Sequence, residues 1–242
     1  MKIEIWSDIA CPFCYIGKQN LENALAKFPY KDQVDVEFKS FELDPHASLY
    51  DGTKYVENLA SKFGGTEQAK QFITHLTQQA KNVGLTFNFD EMKPTNTFNA
   101  HRLAKWAKTQ GKEAIVNEKL LSAHFTESKD VGDLDTLADI AKASGLNRDE
   151  ALKVLNDKKL YAQNVKDDQY EAKRYGINGV PYFIINQKYA VSGAQPAQAF
   201  SEALDKVWEE ENPAPKLETL SADTPDGGVC TDGSCVIPPK KS

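Results

Sequence analysis

The chain has 242 residues, 40% of them hydrophobic and 26% charged, with a formal net charge of -6. That length suits one core carrying a large insertion as well as it suits two domains. The acidic balance, with no clustered Lys/Arg stripe, argues against nucleic acid or anionic lipid as a partner, and no apolar run approaches the roughly 20 residues of a membrane-spanning helix.

The opening residues, MKIEIWSDIACPFC, enter an alternating pattern at once, with no charged region leading into an apolar stretch and cleavage site, so the expected location is the cytoplasm. Ile3 and Ile5 alternate with Lys2 and Glu4, and Val34, Val36 and Phe38 alternate with Asp35, Glu37 and Lys39. Both segments read as strands with one buried face. Between them Leu21, Ala24, Leu25 and Phe28 recur at helical spacing, which makes residues 2–41 a βαβ unit. Cys11 and Cys14 fall where its first strand hands over to its helix.

From about Thr53 to Leu155 the pattern is helical. One face carries Phe72, Ile73, Leu76, Ala80 and Val83, and segments stop at Gly84, Gly111 and Gly145. Asn147 opens NRDE, a capping-box pattern. A helix over about 163–175 ends at Gly176. VPYFIIN and KYAVSG then read as a hairpin, and Phe200, Leu204, Val207 and Trp208 form the apolar stripe of a last helix. The thioredoxin arrangement remains when the helical block is removed. Residues 1–45 and 163–210 are therefore expected to form a thioredoxin-like domain, 46–162 a helical insertion, and 211–242 a flexible tail.

Four cysteines in two close pairs are too few for a disulfide-stapled scaffold, and in a reducing compartment such pairs are more often catalytic, redox-sensing or metal-binding. Two residues between cysteines at a helix start suit disulfide exchange. Cys11 at the outer end, near unpaired amides and the positive end of the helix dipole, attacks; Cys14, one turn in, resolves. Pro12 cannot donate to sulfur and Phe13 adds no charge, so less thiolate stabilisation is expected than a His at position 13 would give. Zinc uses the same spacing but wants four ligands, and the other thiols are about 216 residues away, so no metal is expected. Two accidentally adjacent buried thiols would not explain the strand before and the helix after.

ACPFCYIGK, NTFNAHRLAKWAKTQG and YGINGVPYFIINQKYAVSGAQ, with the helix that follows, together resemble the DsbA-like thioredoxin family, most nearly its FrnE-type cytoplasmic branch. That branch is similar to glutathione-dependent 2-hydroxychromene-2-carboxylate isomerases and kappa-class glutathione transferases. The resemblance covers about residues 1–208. It implies an α/β thioredoxin fold with a large all-helical insertion, Cys11 as nucleophile, Cys14 as resolving thiol, and a cis Pro181 that contacts substrate. A cis bond there turns the Val180 backbone outward, where it pairs with an extended peptide or with glutathione. The isomerases and transferases carry serine at the position of Cys11, so a cysteine there favours dithiol chemistry.

The expected function is thiol–disulfide exchange with protein or peptide substrates, with Pro12, Phe13, Val180 and Pro181 binding substrate. No tightly bound cofactor is expected; glutathione is a candidate co-substrate and a thioredoxin-type protein a candidate reductant. A glutathione-dependent isomerase or transferase acting on an aromatic or electrophilic molecule is the alternative, and a non-enzymatic, redox-switched peptide-binding module is the third reading. The insertion would cover the active-site face and bring His101 and Arg102 within reach of substrate as assisting groups, although packing and surface roles are commoner for such residues. Trp6 and Tyr15 bracket the motif, as a substrate lip or as core. In the tail, Cys230 and Cys235 close a small ring if oxidised. The roughly 21-residue linker after Trp208 spans about 25 Å, enough for a redox relay with Cys11 and Cys14.

Overall fold

A computed structural model describes residues 1–213 together with the backbone strands Val229–Thr231 and Ser234–Val236. β1 (Lys2–Ser7) leads into α1 (Pro12–Leu25) and β2 (Asp35–Ser40). Seven helices follow: α2 (Tyr55–Phe63), α3 (Thr66–Asn82), α4 (Phe98–Thr109), α5 (Glu113–Phe125), α6 (Leu134–Ala143), α7 (Arg148–Asn156) and α8 (Ala162–Arg174). The chain then returns through β3 (Tyr182–Ile185), β4 (Tyr189–Ser192) and α9 (Ala197–Glu211).

The sheet runs in the order β2-β1-β3-β4. β1 and β2 are parallel, with Ile3 opposite Val36 and Ile5 opposite Phe38, so the connection between them is the βαβ crossover that the sequence pattern predicts. β3 enters antiparallel on the other side of β1, with Phe183 opposite Ile5, and pairs with β4 as a hairpin. Gly84, Gly111, Gly145 and Gly176 all have positive φ at helix ends, as the cap readings require. Asn147 caps α7 by accepting from the Asp149 and Glu150 amides.

One sheet face packs Ile3, Ile5 and Phe183 against Leu21 and Phe28 and against Phe200 and Leu204 of α9. The other face departs from the expectation of a solvated polar side. Glu4 is 2% exposed, its carboxylate 3.5 Å from the Lys39 ammonium, which also lies 3.0 Å from Glu171. Asp168 accepts from the Ser40 amide at 2.7 Å and pairs with Lys105. α8 and α4 cover this face, and the charges survive burial because each meets an opposite charge.

Helices α4 to α7 bury Leu103, Leu120 and Leu137 in a core of their own. A second, aromatic core joins α1 to α2, α3 and α5 through Tyr15, Leu76, Phe87 and Phe125. Trp6 and Tyr15 are both core residues: the Trp6 indole donates to the Asp168 carbonyl at 3.2 Å and the Tyr15 hydroxyl donates to Glu118 at 2.6 Å. Met1–Trp208 is one compact unit and Glu209–Ser242 a second. Within that second unit β5 (Val229–Thr231) and β6 (Ser234–Val236) form an antiparallel ladder that sets Cys230 opposite Cys235, a regular element where the composition suggests only a flexible tail.

Candidate active site

Proline fits the first turn of α1 because it has no amide to leave unpaired there and its φ is already helical. Cys11 is therefore the N-cap, with φ -95° and ψ 111°, and Cys14 lies one turn inside. No first-turn amide bonds the Cys11 sulfur; its thiol instead donates to the Val180 carbonyl at 3.6 Å. The Val180–Pro181 bond is cis. Both cysteines are free thiols.

A position at the outer end of the helix predicts an exposed Cys11, and the structure corrects this: it is 3% exposed and Cys14 1%. The Val180 carbonyl meets the sulfur on one side, and on another Cys11 shares a cavity wall with Tyr55, whose hydroxyl burial and the Cys11 charge make harder to ionise. Burial pushes the Cys14 thiol well above its ordinary range, and the hydrogen bond and charge of Cys11 add to this, against Ser7 and the Asp8 backbone.

The approach of α1 to the Pro181 loop depends on Gly17. A Cβ there would lie 3.0 Å from Pro181 Cγ, 3.2 Å from Phe183 Cζ and 3.3 Å from the Ala194 Cα. Gly17→Val is expected to cost about 1–3 kcal/mol in denaturant unfolding and to slow exchange by moving the cysteines away from Val180. An unchanged midpoint and rate would show that the approach is not tight.

Cys11, Pro12 and Phe13 line a cavity of about 540 Å³ whose further walls come from residues 43–53, α2, α3, residues 94–97 and α5. Phe13 meets Phe72 edge-on, with centroids 6.2 Å apart. Asp8 stands in the cavity wall as a node. It accepts from the Thr97 hydroxyl at 2.8 Å and the Leu43 amide at 2.8 Å, and a His101 ring nitrogen lies 3.3 Å away. Burial works to raise the Asp8 carboxyl, but His101, Leu43 and Thr97 outweigh it and hold it below the ordinary carboxylate value.

His124 on α5 also borders the cavity. It is 1% exposed, and Nδ1 has no hydrogen-bond partner. Burial lowers its pKa from 6.5 to about 4 although Asp8 and Asp130 act the other way, so the folded protein holds the ring neutral. The unfolded chain binds the proton more readily between those values. This contribution to stability is complete above pH 6.5 and is lost as the pH falls towards 4, for about 3 kcal/mol. Unfolding free energies at pH 7 and pH 4.5 should differ by less in His124→Leu than in the parent; equal differences would show that the ring does not carry this dependence.

Of the residues singled out in the sequence, the fold gathers Cys11, Cys14, Pro12, Phe13, Val180 and Pro181 at one place. His101 reaches that place only through Asp8. Arg102 does not reach it, which corrects the assisting role considered for it. It is fully buried, and its guanidinium donates to Asn99 and to the carbonyls of Val154, Leu155, Asp157 and Leu160. Those contacts use all five donors. The side chains of Cys230 and Cys235 lie outside the described residues. Asp8, Gly17, Tyr55 and His124 are the site residues the sequence reading missed. Only Asp8 left a trace, as a charge inside the strand-to-helix turn. Among the described residues no group of three or more His, Cys, Asp or Glu side chains is placed to hold a metal, and none of the described helices is long and apolar enough to cross a membrane.

The chain is similar to a "probable DsbA oxidoreductase" from Streptomyces coelicolor, 36% identical, with a TM-score of 0.82 over 99% of this chain and 100% of that one. It is 29% identical to the uncharacterised protein YwbO of Bacillus subtilis over 208 residues, covering 84% of this chain and 94% of the relative. The cytosolic disulfide reductase DsbM of Pseudomonas aeruginosa, also solved with GSH, shares the fold alone, at 13% identity and a TM-score of 0.61 over 87% of this chain and all of that one. The family described as the DSBA-like thioredoxin domain matches residues 2–205, and the chain belongs to that oxidoreductase family.

Proposed function

We propose that the protein is a thiol–disulfide oxidoreductase or isomerase that exchanges disulfides with protein or peptide substrates through Cys11 and Cys14. The observation that carries this reading is one arrangement: two free thiols a turn apart at the start of α1, the first against the Val180 carbonyl and opening on a cavity. The Cys11 thiolate attacks a substrate disulfide, forms a mixed disulfide and releases one substrate thiol. Cys14 then attacks the Cys11 sulfur, releases the second thiol and leaves a Cys11–Cys14 disulfide; two electrons have passed to the substrate. Run backwards, the same steps oxidise a dithiol. Val180 and Pro181 present backbone to the substrate chain, and Pro12 and Phe13 form the near wall.

Glutathione is the proposed small thiol partner. A cytoplasmic, reducing setting suits two free cysteines, and the fold shared with DsbM, which has been solved with GSH, supports the same choice. Reduction of insulin and rearrangement of scrambled ribonuclease, each with and without glutathione, test the assignment. Catalysis of either supports it. Inactivity towards both, with turnover of a small electrophile that requires stoichiometric glutathione, would move the assignment to a glutathione-dependent isomerase or transferase.

Cys230 and Cys235 are proposed as an internal relay that exchanges with the active-site pair, their strands being set directly opposite each other. Replacing both by serine is expected to shift the equilibrium with glutathione and to slow re-reduction. Unchanged values would remove the relay.

A further inference from the structure

The cavity beside Cys11 is larger than contact with one sulfur requires. Its volume of about 540 Å³ falls among ligand sites, which run from about 300 to 1,000 Å³. Its charge is lopsided. Asp8, Asp44 and Asp51 line it against Lys62 and His46, and the Lys62 ammonium already lies 3.7 Å from Asp44. At His124 the ring is buried and Nδ1 unpartnered, with the Asp8 and Asp130 carboxylates acting on it. A neutral imidazole always presents a lone pair on one nitrogen. Here the ring borders a cavity with aromatic walls, of which Phe13 and Phe72 are two, and the nearby carboxylates make its surroundings negative. An anionic ligand would meet three carboxylates, of which Asp8 has His101 3.3 Å away and Asp44 has Lys62, and an aliphatic one would leave the polar His124 ring unsatisfied. An ammonium or guanidinium on a long apolar stem answers each of these features.

Resting on the disulfide-exchange reading above, we propose that this cavity is the specificity pocket for the residue beside the substrate's reactive cysteine. It takes a Lys or Arg side chain, with the stem along Phe13 and Phe72 and the charged head between Asp8 and His124. The protein therefore discriminates among disulfides by the charge next to them, favouring basic flanks and disfavouring acidic ones.

Three disulfide peptides that differ only in Lys, Leu or Glu next to the cysteine test this. The expected order of kcat/KM is Lys, Leu, Glu, with about tenfold or more between the first and last at low ionic strength and a smaller ratio as salt is added. His124→Leu and, at the exposed rim, Asp51→Asn should both lower the Lys-to-Glu ratio, His124→Leu by more. Asp51→Asn keeps the acceptor for the Thr53 amide, so its result does not depend on the fold surviving a core change. Equal kcat/KM for the Lys and Glu peptides would overturn the pocket and leave the exchange reading standing. A Lys preference untouched in both variants would overturn its placement between Asp8 and His124. Failure to turn over any of the three peptides would overturn the exchange reading and the pocket with it.

Discussion

Cys11→Ser is expected to lose disulfide exchange by more than about 10³-fold, because a hydroxyl supplies no comparable anion at neutral pH and cannot form the mixed disulfide. Cys14→Ser should behave differently. Its Cys11 still attacks, but nothing resolves the adduct, so the variant should accumulate a mixed disulfide visible by mass spectrometry and by non-reducing electrophoresis. The structure gives a reason for this order of events. In the dithiol, burial and the hydrogen bond and charge of Cys11 together keep Cys14 protonated. Once Cys11 is held in a mixed disulfide it carries neither charge nor proton, and two of those three influences disappear. The Ser7 and Asp8 contacts that favour the Cys14 thiolate remain. Cys14 thus becomes easier to ionise at the step that needs it. A Cys14→Ser protein that turns over substrate at the parent rate and carries no adduct would refute the assignment of roles, as would an active Cys11→Ser.

Much of this site was legible from a few residues. Cysteines placed between an alternating strand and a helical stripe locate the chemistry at a helix start, and Val-Pro before a second alternating run marks the loop that faces it. What stayed hidden has a common physical origin. A period-two pattern reports which residues share a face but not whether something covers the polar face, so Glu4 and Lys39 read as solvated until α8, which brings Asp168, and α4, which brings Lys105, are seen lying over them. α5 buries residues on several sides, Val116, Asn117, Leu121 and Phe125 among them, and so offers no narrow stripe against which His124 would stand out. Gly17 sits inside a regular helix, where a glycine ordinarily signals only a modest loss of helix propensity. Its purpose appears only when Pro181, more than 160 residues away in sequence, is packed against it. Partners distant in sequence decide all three cases.

Arg102→Met should lower unfolding free energy by about 3–5 kcal/mol while leaving exchange by the folded protein largely intact. The side chain reaches the C-terminal end of α7 and the turn beyond it, donating to the carbonyls of Val154 at 2.7 Å, Leu155 at 3.2 Å and Leu160 at 2.8 Å, to Asp157 as well, and to the Asn99 side chain at 2.9 Å. The last carbonyls of a helix have no partners within it, and here one guanidinium takes the place of several separate caps. Methionine fills the volume but leaves those oxygens unpaired, and each that stays out of water costs about 1–3 kcal/mol. Residues 156–160 are exposed, so some of the freed carbonyls will find water, which limits the total. Against a domain stability of about 5–15 kcal/mol the loss is still large. Arg102→Lys should recover only a minor part, because one ammonium cannot reach around the turn as the planar fork does. A catalytic role would produce the opposite pattern, with rate lost at unchanged stability, so denaturant unfolding measured beside peptide turnover at low temperature separates the two.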